Sequence, residues 1–176
     1  MMKPEMLQNI FLIGFMGTGK STVAWLLAKK LCFSFVDLDA QIEERQGCTI
    51  SEIFANQGEA AFRDMETEMI DLYAKQSRTV IACGGGIVLR PKNVEMMKRS
   101  GIVILLQATP ETIQSRLKHN TSRPLLQGRM QPSDLKYLME KRKVAYEQAG
   151  DIWISTDEKL PEEVVSEIVD NIAKWP

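Results

Sequence analysis

At 176 residues, 44% hydrophobic and 26% charged, the chain suits one well-filled core, and its composition excludes a disordered or fibrous protein. A formal net charge of −1 excludes a global basic field of the kind that recruits nucleic acid. Three scattered cysteines, Cys32, Cys48 and Cys83, exclude a full disulfide framework and give no zinc pattern, so reduced thiols in a cytoplasmic protein are expected. The apolar run from Ile10 to Phe15 is too short to span a bilayer, and neither a membrane segment nor a signal peptide is expected.

No internal repeat, low-complexity tract or flexible linker interrupts the chain. Leu7–Ile13 reads as a strand, and the Gly-rich turn Gly14–Gly19 leads into a helix from Lys20 to about Leu31. Phe33–Val36 reads as a second strand, followed by helical patterning over Ala40–Arg45, Ile50–Gln57 and Glu59–Lys75. Thr79–Cys83, β-branched and apolar, predicts a buried strand ending in Gly84-Gly85-Gly86. Pro91 and Pro110 stand where helices begin, on either side of a strand at Ile102–Leu106. Asp134–Ala149 reads as helix, Ile152–Ile154 as a short strand, and Pro161 opens a closing helix to Lys174. Strand–helix alternation with crossovers this long predicts a mostly parallel sheet with helices on both faces, a three-layer α/β sandwich. The segment His119–Gln131 breaks the alternation. By itself it reads as a plain surface connection, with a lid over a site as the alternative.

Gly14-Phe15-Met16-Gly17-Thr18-Gly19-Lys20-Ser21 matches the eight-position P-loop pattern, between a predicted strand and a predicted helix. Triphosphate oxygens need several backbone N–H groups converging on one point, so the chain must wrap closely around the anion. Glycine permits that path, and the helix that follows offers free N–H groups and its positive dipole end. Lys20 supplies a mobile cation for the outer phosphates, and Ser21 a hydroxyl ligand for Mg2+.

The residues that would take the phosphoryl group are individually ambiguous. Asp37 and Asp39 follow the second strand, at the sheet edge where open α/β folds bind ligands. If the backbone stays extended, both project to a similar side; a turn with a helix N-cap is the plainer alternative. Arg63 and Glu66 share a helix face at i, i+3 spacing, as a surface ion pair or as part of a site. Gly84, Gly85 and Gly86 suggest backbone that a ligand approaches closely, or a flexible turn. Arg142, between Lys141 and Lys143, reads on its own as a solvated charge.

Taken together the blocks resemble the shikimate kinase family over nearly the whole chain. They comprise the P-loop, Phe35-Val36-Asp37-Leu38-Asp39, Gly58-Glu59, Phe62-Arg63, Glu66, the glycine triplet, Arg123-Pro124-Leu125-Leu126, and Lys141-Arg142 followed by Tyr146. The resemblance implies one nucleoside-monophosphate-kinase-like P-loop domain over 1–176, with a lid around 118–131. It implies a cytoplasmic monomer using ATP, Mg2+ and shikimate to make 3-phosphoshikimate and ADP, a step towards aromatic amino acids. Lys20, Asp39 and Arg123 would be catalytic, Asp39 as general base or as orienter of the attacking hydroxyl. ATP would meet Gly17, Thr18, Gly19, Lys20, Ser21, Thr22 and Arg123, with Arg116 and Pro124 flanking adenine. Shikimate would meet Asp39, Arg63, Gly84, Gly85, Gly86 and Arg142, the arginines gripping its carboxylate bidentately. Ser21 and, through water, Asp37 would hold the metal.

The chain departs from the family pattern after the last strand, where Ser155-Thr156 stands in place of a common Asp-Thr pair near adenine. Lys159 lies where some relatives place a basic ATP contact. Two other readings are a gluconate or nucleoside monophosphate kinase on the same fold, and a catalytically silent binding module.

Overall fold

The structure, a computed structural model, describes residues 9–118 and 132–176. The expected lid beyond Lys118, with Arg123 and Pro124, lies outside the described residues, as do residues 1–8.

Five strands form one sheet in the order β2-β3-β1-β4-β5, every pairing parallel. Strand β1 (Asn9–Ile13) is central, between β3 (Thr79–Ala82) and β4 (Gly101–Gln107), with β2 (Ser34–Asp37) and β5 (Ile152–Ser155) at the edges. All five residues of β1 are buried, as expected of a strand covered on both faces. Alternation divides the core in two. Phe11, Ile13, Val103 and Leu105 face one cluster; Ile10, Leu12, Ile104 and Leu106 face the other.

Helices α1 (Lys20–Leu31) and α7 (Pro161–Ala173) cover the second cluster. The first is covered by α2 (Leu38–Gln46), α3 (Ile50–Ala74), α4 (Pro91–Ser100), α5 (Pro110–Lys118) and α6 (Pro132–Ala149). Helix α3 starts at a capping box, with Thr49 N–H donating to Glu52 at 2.7 Å and Glu52 N–H to Thr49 Oγ1 at 3.3 Å. At Gly58 (φ 83°, ψ 169°) the backbone leaves the helical region, so α3 is two helical stretches separated by a kink at the residue where the sequence reading divides them.

Two boundaries differ from the sequence reading in ways that matter. Helix α6 begins at Pro132 rather than Asp134, because proline's missing N–H costs nothing in a first turn. Helix α2 begins at Leu38, capped by Asp37, whose carboxylate accepts from Ala40 N–H at 3.2 Å. Asp39 therefore sits in the first turn of a helix and not on extended backbone, and the two aspartates do not share a strand face. Since all strands run one way, the P-loop, Asp37, the glycine triplet, the β4–α5 turn and Thr156 gather at one edge of the sheet.

Candidate active site

The P-loop wraps as its glycines demand. Gly17 (φ 79°) and Gly19 (φ 90°) take left-handed backbone that side chains resist. A Cβ on Gly14 would stand 2.3 Å from the carbonyl oxygen of Leu106 in β4. Thr18, buried, turns its hydroxyl inward to Phe15 O at 2.9 Å. Lys20 is only 8% exposed, and its ammonium donates to Gly14 O at 2.7 Å and Phe15 O at 2.9 Å. Gly19 gives α1 no side-chain cap, so the first amides of that helix stay open to an anion.

Ser21 on α1 donates to Asp37 Oδ2 at the end of β2. Asp37 thus meets both readings at once, capping α2 with one oxygen and facing Ser21 with the other. Thr22 follows on the same first turn and is exposed.

Arg116 stitches two loops together. Its Nη1 reaches Gly17 O and Thr156 Oγ1, each at 3.0 Å, and its Nη2 reaches Thr156 O at 2.9 Å. Thr156, at the departure from the family pattern, is a strut: it is 2% exposed and donates to Gln107 O at 3.1 Å. Lys159 is engaged with Ser155 O at 3.0 Å and Glu167 of α7 at 2.5 Å.

The acceptor side is more tightly built than its sequence suggested. Arg63 and Glu66 form no surface pair: the bond is 2.6 Å, with side-chain exposures of 12% and 1%. Arg63 also reaches Glu59 at 3.2 Å and lies over the Phe62 ring, 5.3 Å from its centroid. Burial works against the Arg63 charge, but Glu66 and Glu59 outweigh it and raise its pKa. A Cβ on Gly86 would stand 2.3–2.4 Å from the guanidinium of Arg63. A Cβ on Gly84 would stand 2.8 Å from both Asp39 Oδ1 and Glu66 Oε1. Two of the three glycines are therefore bare to admit the protein's own charged side chains. The middle one differs. Ordinary contact separates Gly85 from Met16 N of the P-loop (3.7 Å), Tyr146 Oη (3.8 Å) and Arg142 Nη1 (3.9 Å), measured from a Cβ placed on it. Arg142, half-buried, is thus no solvated charge, and the phosphate cradle and the glycine triplet adjoin one another.

Two residues in this cluster carried no assigned role in the sequence reading, Glu66 and Tyr146. The signal for Glu66 was its i, i+3 spacing to Arg63; that for Tyr146 was its i, i+4 spacing to Arg142. Burial pushes the Glu66 carboxyl up to about 7 against the pull of Arg63, with Asp39 adding to the rise. The folded chain therefore holds a proton that the unfolded chain releases at the ordinary glutamate value of 4.5. The stability this contributes is complete below 4.5 and is lost as pH climbs through about 7. Glu66→Gln is expected to flatten the fall of the thermal midpoint between about pH 5 and pH 8, while its amide oxygen still accepts from Arg63. Melting curves of both chains check this; equal slopes would place the proton elsewhere.

Comparison with known proteins bears on the family. The shikimate kinase family model matches residues 16–173. A shikimate kinase of Thermodesulfovibrio yellowstonii is 49% identical over 163 residues, covering 93% of this chain and 94% of that protein. One from Persephonella marina is 45% identical, covering 94% of this chain and 99% of its own. Among solved structures, the shikimate kinase of Acinetobacter baumannii in complex with shikimate superposes with a TM-score of 0.91 at 34% identity. That match covers 97% of this chain and 95% of the other. A P-loop set against an arginine-and-carboxylate cluster, on a five-stranded parallel sheet matched along nearly its whole length, leaves one assignment: the chain belongs to the shikimate kinase family.

Proposed function

We propose that this enzyme transfers the γ-phosphoryl group of ATP to the 3-hydroxyl of shikimate, giving ADP and 3-phosphoshikimate. The observation that carries the reading is the seating of Gly85 against Met16 N, with Asp39 and Arg63 packed on the neighbouring glycines. A triphosphate on the P-loop amides and a ring alcohol at the triplet would meet in one cleft.

In this reading Arg63 and Arg142 hold the acceptor's carboxylate, Arg63 already pre-oriented by Glu66 and Glu59. Backbone groups of Gly84, Gly85 and Gly86 take the ring substituents. Asp39 accepts the hydrogen of the 3-hydroxyl and aims its oxygen at the γ-phosphorus. As that oxygen forms its bond, the bond from phosphorus to the β–γ bridging oxygen breaks, and the hydroxyl proton leaves by way of Asp39 or solvent. A loose transition state asks mainly for this alignment and for charge stabilisation. Lys20 supplies the charge at the P-loop, alongside the amides of Gly17, Thr18, Gly19, Ser21 and Thr22. Arg116, wired to Gly17 and Thr156, flanks adenine. Arg123 and Pro124, with the lid around 118–131, complete the proposed ATP site.

A hydroxyl beside a carboxylate, both hard oxygen donors, fits Mg2+, and Ser21 with Asp37 would hold it. Among the described residues no cluster of three or more His, Cys, Asp or Glu offers a metal cage, in keeping with an ion that keeps several waters and binds mainly through substrate phosphates. When bound, Mg2+ neutralises charge developing on the phosphates. Among the described residues no helix is long and apolar enough to cross a membrane. We take residues 1–176 as one catalytic domain, acting as a cytoplasmic monomer.

The test is a coupled ADP-release assay with shikimate, gluconate and AMP offered separately. Turnover is expected with shikimate alone. Turnover with gluconate or AMP but not with shikimate overturns the substrate, and calorimetric binding of ATP and shikimate without ADP release would make the chain a silent relative.

A further inference from the structure

Helix α6 brings two side chains to the glycine triplet, and the uncharged one does something the proposed chemistry has not used. Tyr146 lies one helical turn beyond Arg142 and projects from the same face. Its ring is 6% exposed, packed within the first core cluster. Its hydroxyl donates to the carbonyl oxygen of Gly85.

That hydrogen bond fixes more than one atom. A trans peptide unit is planar, so the Gly85 carbonyl and the Gly86 N–H point in opposite directions across a single bond. Holding one holds the other. The unit also lies between two residues without Cβ atoms, where backbone angles shift at least steric cost, so side chains do little to keep this plane from flipping. Among the described residues the amides of Gly85 and Gly86 donate to no backbone acceptor, leaving them for a ligand. Burial pushes the Tyr146 hydroxyl up to about 12, against the pull of Arg142, so it remains a donor at any working pH.

We propose that Tyr146 is a positioning residue, whose hydroxyl locks the Gly85–Gly86 peptide in the orientation that presents the Gly86 amide to the acceptor and ties it to the helix carrying Arg142. This deepens the shikimate reading and rests on it. Only the acceptor should feel its loss, because nothing in the lock touches the triphosphate.

Tyr146→Phe keeps the ring and deletes the lock. Expected are rises of about tenfold in the KM and calorimetric Kd for shikimate, the scale of one lost hydrogen bond (~1.4 kcal/mol). The kcat and the KM for ATP should stay at wild-type values. A lowered thermal midpoint with an unchanged shikimate KM would reduce Tyr146 to packing and overturn the proposal. So would impairment in Tyr146→Leu alone, since that change removes the ring as well. An independent reading needs no variant: in the wild-type amide NMR spectrum, shikimate should shift the Gly86 resonance, and an unmoved Gly86 overturns the proposal. A wild-type chain inert towards shikimate sinks the substrate reading itself; an active wild type with an indifferent Tyr146→Phe sinks the lock alone.

Discussion

A chain carrying Lys20→Met is expected to fold and yet lose phosphoryl transfer by about 10²-fold or more, the scale of deleting one preorganised charge stabiliser. Methionine reproduces the alkyl stem that lies buried in the P-loop, so the first turn of α1 should survive. What disappears is the ammonium, which ties Gly14 O and Phe15 O at 2.7 and 2.9 Å. Phe15 O keeps the Thr18 hydroxyl, but leaving Gly14 O without its donor should cost roughly 1–3 kcal/mol of stability, so the thermal midpoint falls as well. The two losses separate cleanly. Circular dichroism gives the folded fraction, and the fall in kcat should far exceed the unfolded share. Near-normal turnover in folded protein would remove Lys20 from the chemistry and leave it a loop tether.

Asp39→Asn should be comparably severe for a different reason. The substitution preserves shape and removes the charge and basicity that draw the hydroxyl proton, so turnover is expected to drop by about 10²–10⁴-fold. ATP affinity should hold, because the proposed role of Asp39, which packs beside Gly84 of the triplet, is on the acceptor and not on the triphosphate. Calorimetry with ATP alongside steady-state kinetics checks both halves, and lost ATP binding would contradict the assignment. A side effect follows from the same geometry. Asp39 helps keep the Glu66 carboxyl high, so removing its charge should let Glu66 ionise at lower pH.

The phosphate half of this site was legible because its chemistry is local. Eight consecutive residues carry the backbone freedom, the cation and the metal hydroxyl, and the flanking strand and helix follow from short-range patterning. Prolines at 91, 110 and 161 marked helix starts for equally local reasons. The acceptor half is assembled from α2, α3, the β3 exit and α6, and its logic is contact between residues far apart in sequence. Neither the burial of Glu66 nor the demand that Arg63 places on Gly86 has a signature within one segment. For Asp37 and Asp39 the sequence leaves extended backbone and a helix N-cap both open; Asp37 caps α2, and a side chain that caps a helix decides where extension stops. The triplet shows the same limit, since three adjacent glycines look alike in sequence, yet Gly84 and Gly86 meet Asp39, Glu66 and Arg63 first while Gly85 meets Met16 N of the P-loop.

That asymmetry constrains how the scaffold could be retuned. Enlarging position 84 or 86 evicts a carboxylate or a guanidinium before it reshapes any pocket, so neither is a usable dial for acceptor size. The flanks of the triplet are spoken for, and new selectivity would have to be written from α6, whose Arg142 and Tyr146 are the side chains that approach Gly85.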